Sequence, residues 1–386
     1  MKNFCPFHHA PSAKDAALFS MQQISKSLIQ PFRHWWRAIQ PKAIAPVSRF
    51  LYCWALSVLV SSAFGADVAL PTSKAPARQA ADSGIHVARF KAAREAAISF
   101  TVDDGREDAA TVGVPLFDRY GFHASFFLIV CGIPDVAGKS RVFSIPWSRW
   151  REISESGHEI GNHTLNHQIS KDSDEQAQND IDGARQIIAY KIGIAPVSFV
   201  YPGNHRDDRV RKFVYAHHAV ARETDTLYGS NNGVDFTAEK AKSLVDKALA
   251  DKAWMVPMLH GIVEDGVKAP FPIRPAVLEE NLKYLQTLKS RIWVDTFGNV
   301  GRYVKERDAA VLTAKRDGNH AVFTLTTGLD ASLFCVPLTV VIDHVKATSA
   351  LAKREGISAP LPSVVQAERI LVEVVPGAGP VTVTWK

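Results

Sequence analysis

The sequence predicts an α/β fold with a small strand-rich tail. Short apolar runs recur from Ala96 onward: AAISFTV (96–102), HASFFLI (123–129), VSFVY (197–201), HAVAR (218–222), WMVPMLH (254–260) and RIWVDTF (291–297). These runs are continuously apolar rather than alternating, as in strands buried on both faces of a parallel sheet. Helix-like stretches run from Asp174 to Tyr190, Thr237 to Ala250, Pro275 to Lys289 and Asn299 to Arg307. With HEIG (158–161) as a further short strand the count reaches seven, which suits a closed or nearly closed β/α barrel. An open doubly wound sheet has the same periodicity, and the pattern leaves both open.

After Arg307 the texture changes. AVFTLTT (321–327), LTVVIDH (338–344), ILVEVV (370–375) and VTVTWK (381–386) alternate apolar and polar residues between Gly, Pro and polar turns. That pattern predicts a β-rich domain over 308–386, a small sandwich or a sheet packed on the main domain.

Ahead of the barrel, residues 1–66 read as a leader. An apolar run, FLYCWALSVLV (50–60), follows a basic segment and precedes the small residues SSAFGA. The run is shorter than the roughly 20 residues a membrane span needs, so a secretory signal fits better than a stable span. The expected location is secreted or periplasmic. The small, polar, proline-bearing segment 67–95 reads as a linker.

Charge follows the same division. The chain of 386 residues has a formal charge of +6, but seven of its 45 Lys and Arg residues and one of its 39 acids lie in the leader. The remainder carries 38 of each sign, so no basic footprint for nucleic acid is left. Cys5 and Cys53 fall in the leader. Cys131 and Cys335 could form a disulfide in an oxidising compartment or stay as thiols.

The chemistry-bearing residues cluster at strand ends. The first strand ends in FTVDDG, with adjacent carboxylates Asp103 and Asp104 before Gly105. HEIGNHTLNH holds three histidines, of which His163 and His167 stand four apart. A four-residue interval places two side chains on one helical face, where they could share a divalent metal. Taken alone, the pair reads more readily as ordinary surface or capping histidines than as metal ligands. The strand over 254–260 ends in MLHG and presents His260, and the one over 197–201 continues into VYPGN. In a β/α barrel these positions face the active site. One carboxylate and two imidazoles give three ligands with a position open, as catalytic zinc sites require. The second carboxylate can act as base and a facing histidine as acid.

TVDDG, HTLNH, YPGN and MLHG, in this order, resemble the motif series of the polysaccharide deacetylase family, which includes chitin and peptidoglycan de-N-acetylases and xylan O-acetyl esterases. The resemblance covers 96–307 and implies a distorted seven-stranded β/α barrel followed by the β-rich tail. It implies Asp103 as general base, His260 as general acid, and Gly203 as the backbone N–H for the oxyanion. It implies Asp104, His163 and His167 as ligands of a divalent metal, with zinc expected. The implied partner is an acetylated polysaccharide or oligosaccharide. Val102 and Met258 replace the family's usual phenylalanine and leucine. Val200 stands where the family often has an arginine that orients the base; Arg222, ending AVAR, is expected to supply it, with Arg206 as the alternative. Trp147, Trp150 and Trp254 read as core or wall. Trp293 could stack on a sugar or pack in the core. Asn162 matches a glycosylation sequon but has a candidate ligand inside it. The resemblance leads to a secreted N-deacetylase; an O-acetyl esterase or a noncatalytic carbohydrate-binding barrel are the alternatives.

Overall fold

The computed structural model describes residues 84–136, 144–169, 173–230 and 235–386. The leader expected over 1–66 and the linker as far as 83 lie outside the described residues. The chain enters through β1 (Ile85–Val87). It continues through β2 (Ala96–Ile98), β3 (Thr101–Val102), β4 (Ser125–Leu128), β5 (Glu159–Asn162), β6 (Ser198–Phe199) and β7 (Val220–Ala221). β8 (Thr226–Leu227), β9 (Trp254–Met255), β10 (Pro257–Leu259) and β11 (Ile292–Val294) complete this part.

Seven of these strands form one sheet, in the order β7-β6-β5-β4-β3-β10-β8, with every pair parallel. A smaller parallel sheet has the order β11-β2-β9. The first apolar run therefore serves both sheets. Its amino half, β2, lies between β11 and β9, and its carboxyl half, β3, between β4 and β10. That exchange of neighbours distorts and curls the sheet into a barrel with helices outside it. β7 and β8, the two ends of the seven-stranded order, are not paired with each other. The seven strands differ from those read in the sequence: β8 joins the main sheet, whereas the RIWVDTF strand, β11, belongs to the smaller one.

Hydrophobic burial holds the elements in place. Phe100, Phe126 and Trp150 are fully buried in the barrel's main core, and each such side chain contributes about 1.5–3 kcal/mol. The helix Asp174–Ile192 starts with a capping box between Ser173 and Gln176 and ends at Gly193 in the left-handed region. These are the local signals that start and stop a helix. Among the described residues no helix is long and apolar enough to cross a membrane.

The tail is a sandwich of two antiparallel four-stranded sheets. Its strands are β12 (Val311–Asp317), β13 (His320–Thr326), β14 (Leu338–Asp343), β15 (Ala350–Arg354), β16 (Ser363–Gln366), β17 (Arg369–Val374) and β18 (Gly377–Trp385). The sheet orders are β1-β14-β17-β16 and β12-β13-β18-β15. Leu325, Phe323, Val340, Ile342, Val372 and Val383 meet between them.

One expectation needs correction here. Residues 84–95 are not linker: β1 pairs with β14 over Ile85–Ile342, His86–Val341 and Val87–Val340. Alternating burial of Ile85 and Val87 drives that pairing. The sandwich also seals the barrel from outside. Tyr303, on the helix Phe297–Ala309, lies in the sandwich core and donates to the Ala88 carbonyl at 2.9 Å. Leu333 and Phe334 pack on Phe127, Val220, Val256 and Phe297. Cutting the chain after Ala309 would remove Leu333, Phe334 and the sandwich residues around Tyr303, and leave β1 without its partner. The truncated barrel is expected to lose cooperative thermal unfolding and to aggregate; a soluble fragment melting within a few degrees of the full chain would contradict this.

Candidate metal centre and catalytic rim

The candidate residues meet at the carboxyl ends of the parallel strands. After β3 the backbone turns sharply, with positive φ at Asp104 (72°) and Gly105 (64°). A side chain at Gly105 would also meet Leu128 Cδ2 at 2.8 Å, so glycine serves both the angle and the space. The turn directs the two aspartates to different partners.

Asp104 faces the two histidines. Its Oδ1 lies 3.6 Å from His163 Nε2 and 3.9 Å from His167 Nε2, and one donor atom from each residue falls within 4.8 Å of the others. These separations exceed a hydrogen bond and approach the ~3.3 Å edge of a tetrahedron with metal–ligand bonds of about 2.0–2.1 Å. His163 Nδ1–H donates to the Val200 carbonyl at 3.0 Å, which leaves the Nε2 lone pair aimed at the cluster. The His167 imidazole is pushed down by burial and by His163, which favours the neutral, ligating form. Burial alone would raise the Asp104 carboxyl, but the close approach of the His163 imidazole holds it below the usual carboxylate range. The donor set, its spacing and its outer hydrogen bond fit a divalent cation.

The four-residue spacing works differently from the helical expectation. His163 to His167 is a loop after β5, with Thr164 and His167 at positive φ (69° and 59°). Hydrogen bonds shape it: Thr164 N–H donates to Asn162 Oδ1 at 2.8 Å, and His167 N–H to Thr164 Oγ1 at 2.9 Å. Asn162 Nδ2 donates to the Ile181 carbonyl at 2.9 Å and the residue is fully buried. This side chain shapes the loop, and its burial leaves no room for a glycan.

Asp103 turns the other way. Arg222, just beyond β7, donates from its two terminal nitrogens to Asp103 Oδ1 at 2.8 Å and Oδ2 at 2.5 Å. It also reaches Thr101 Oγ1 at 3.0 Å. β7 and β3 are four places apart in the sheet order, so these bonds span the curl. Both residues are only 2% exposed. Burial alone would raise the Asp103 carboxyl, but the Arg222 charge and hydrogen bonds outweigh it and keep the group below the usual range. The base candidate is thus held ionised and fixed in direction. Arg206 instead donates to the Asn204 and Glu223 carbonyls. Val200 is buried and takes part through its carbonyl.

His260 closes the rim, with Nε2 3.9 Å from Asp103 Oδ2. Gly203 stands exposed in the turn Pro202–Asn204 after β6, with φ 57°. Asp225, which carries no sequence motif, stands beside Arg222. Its Oδ2 is 3.6 Å from Arg222 Nε, and both atoms are buried without a hydrogen-bond partner, as is His260 Nδ1. Trp293 is a wall residue: its ring packs edge-on against Tyr303 at 5.2 Å and its Nε1 donates to Asp295.

Residues 91–219 match the family model described as polysaccharide deacetylase. This segment, about a third of the chain, is similar to the polysaccharide deacetylase family. The chain is also similar to the peptidoglycan-N-acetylglucosamine deacetylase of Bacillus cereus, at 34% identity over 120 residues, 31% of this chain and 51% of that protein. A gellan lyase from a Bacillus species is 26% identical over 324 residues, covering 74% of this chain and 13% of the relative. The chain thus spans about half of the one relative and a small part of the other. Among solved structures, a putative polysaccharide deacetylase from Mycobacterium smegmatis aligns at 15% identity and TM-score 0.44, over 64% of this chain and 99% of that one. A family 4 carbohydrate esterase from Streptomyces lividans aligns at 14% identity and TM-score 0.37, over 52% and 92%.

Proposed function

We propose that the protein is a secreted, metal-dependent deacetylase that removes N-acetyl groups from an amino-sugar polymer or oligomer. The observation that carries this reading is the divided aspartate pair: Asp103 is locked by Arg222, and Asp104 is turned toward His163 and His167. A divalent cation held by Asp104, His163 and His167, zinc being the expected ion, would act as a Lewis acid and make water nucleophilic near neutral pH. Asp103, charged and oriented by Arg222, accepts a proton from the attacking water. The Gly203 N–H donates to the oxyanion that develops on the acetyl carbonyl oxygen. His260 gives a proton to the departing nitrogen, so that water and amide become acetate and a free amine. The name of the Bacillus cereus relative supports an N-acetylated amino sugar as substrate. The leader composition supports export.

Acetate release from chito-oligosaccharide compared with acetylated xylan tests the substrate. Release from xylan alone would replace this reading with O-acetyl esterase activity, and release from neither would leave a binding protein. Elemental analysis tests the metal separately. One equivalent of metal per chain is expected in the wild type, with near-complete loss in the His163→Ala, His167→Ala double variant. Stoichiometric metal in that variant would remove the assignment.

A further inference from the structure

Among the described phenylalanines only Phe271 is exposed, at 39%, and it stands beside the acid candidate. Its ring centroid lies 5.5 Å from that of His260, with the planes at 54°. The backbone is committed to this placement. Phe271 has φ 39°, a region that bulky L-residues rarely enter. Two glycines admit the segment: a Cβ on Gly229 would lie 2.3 Å from the Phe271 carbonyl oxygen, and one on Gly261 2.3 Å from Ala269 Cβ. Hydrogen bonds then tie it down. Gly261 N–H donates to Pro270 O at 3.2 Å, Ile273 N–H to Gly261 O at 2.9 Å, and Ser230 N–H to Pro272 O at 3.3 Å. Gly261 directly follows His260, so the loop bearing Phe271 is anchored to the strand end bearing His260.

A strained backbone that leaves an aromatic ring in solvent gains nothing for the core. It makes sense if the ring meets a ligand with an apolar face. A pyranose whose substituents are equatorial presents such a face, a patch of axial C–H groups, while its hydroxyls point sideways. We infer that Phe271 is the platform for the sugar ring that bears the acetyl group, packing on its C–H face and setting the acetylated atom beside His260. This inference rests on the deacetylase reading and adds a specificity-determining residue to it.

The test compares wild type, Phe271→Ala and Phe271→Tyr on chito-oligosaccharide and on 4-nitrophenyl acetate, an ester with no sugar ring. For Phe271→Ala, KM for the oligosaccharide should rise about tenfold, the loss expected when one aromatic contact is removed. Its kcat should be nearly unchanged, hydrolysis of 4-nitrophenyl acetate should be unaffected, and Phe271→Tyr should restore the wild-type KM. A fall in kcat for the oligosaccharide with KM unchanged would show that the ring only supports His260 and would overturn the inference, as would an unchanged KM alone or equal losses on both substrates. If the wild type deacetylates no glycan, the deacetylase reading itself fails. Calorimetric binding of the same oligosaccharide then decides on Phe271: about tenfold weaker binding in Phe271→Ala sustains the platform, and equal binding, or none by the wild type, overturns it.

Discussion

Replacing Asp103 with asparagine is expected to lower kcat for acetate release by about 10²–10⁴-fold, the usual contribution of a positioned base, with the metal retained. The expectation follows from the division of labour at the DDG turn. Asp104 and the two histidines, whose donor atoms lie within 4.8 Å of one another, are untouched by the change. What disappears is the carboxylate that two Arg222 bonds hold ionised. Asparagine keeps the shape but cannot take a proton from water. It also leaves a buried guanidinium without its counter-charge, so some loss of thermal stability should accompany the loss of rate. A thermal melt separates the two effects. A variant that stays folded and metal-loaded at assay temperature yet keeps more than about a tenth of wild-type kcat would show that Asp103 is not the base.

The second large effect concerns the leaving group. His260→Ala should retain metal, because its nearest charged partner in the site is Asp103 Oδ2, at 3.9 Å, rather than the three-residue cluster. On an acetylated amino sugar its kcat should fall by about 10²–10⁴-fold. On 4-nitrophenyl acetate the loss should be far smaller, since a phenolate departs without a proton and an amine does not. Equal losses on the two substrates would remove His260 from the acid role. Such a result would point to a part in holding Asp103 in place of the acid role.

The strands were legible because burial on both faces writes continuous apolar runs, and β4, from Ser125 to Leu128, is buried at every position. β8 was not: it is two residues long, Leu227 is 41% exposed, and no apolar run marks it. The spacing of His163 and His167 pointed to a shared ligand, but for a helical reason. A loop with two left-handed residues, shaped by Asn162 and Thr164, achieves the same convergence. Asn162 was visible only as a sequon, because nothing in a sequence tells a loop-shaping amide from a glycan acceptor. Arg222 was inferred from an arginine missing at position 200, a gap that only a motif comparison exposes. Asp225 and Phe271 depend on how distant segments approach, which local pattern does not encode.

The pairing of β1 with β14 also sets the order in which the molecule can be finished. Val87 leaves the ribosome long before Leu338, and at about 5–20 residues per second the interval is roughly 10–50 s. Throughout that time β1 is a strand without a sheet, and once made the barrel surface around Tyr303 and Phe297 waits for its cover. The pairing of β1 with β14 is therefore a late event, possible only after every strand of the barrel has been made.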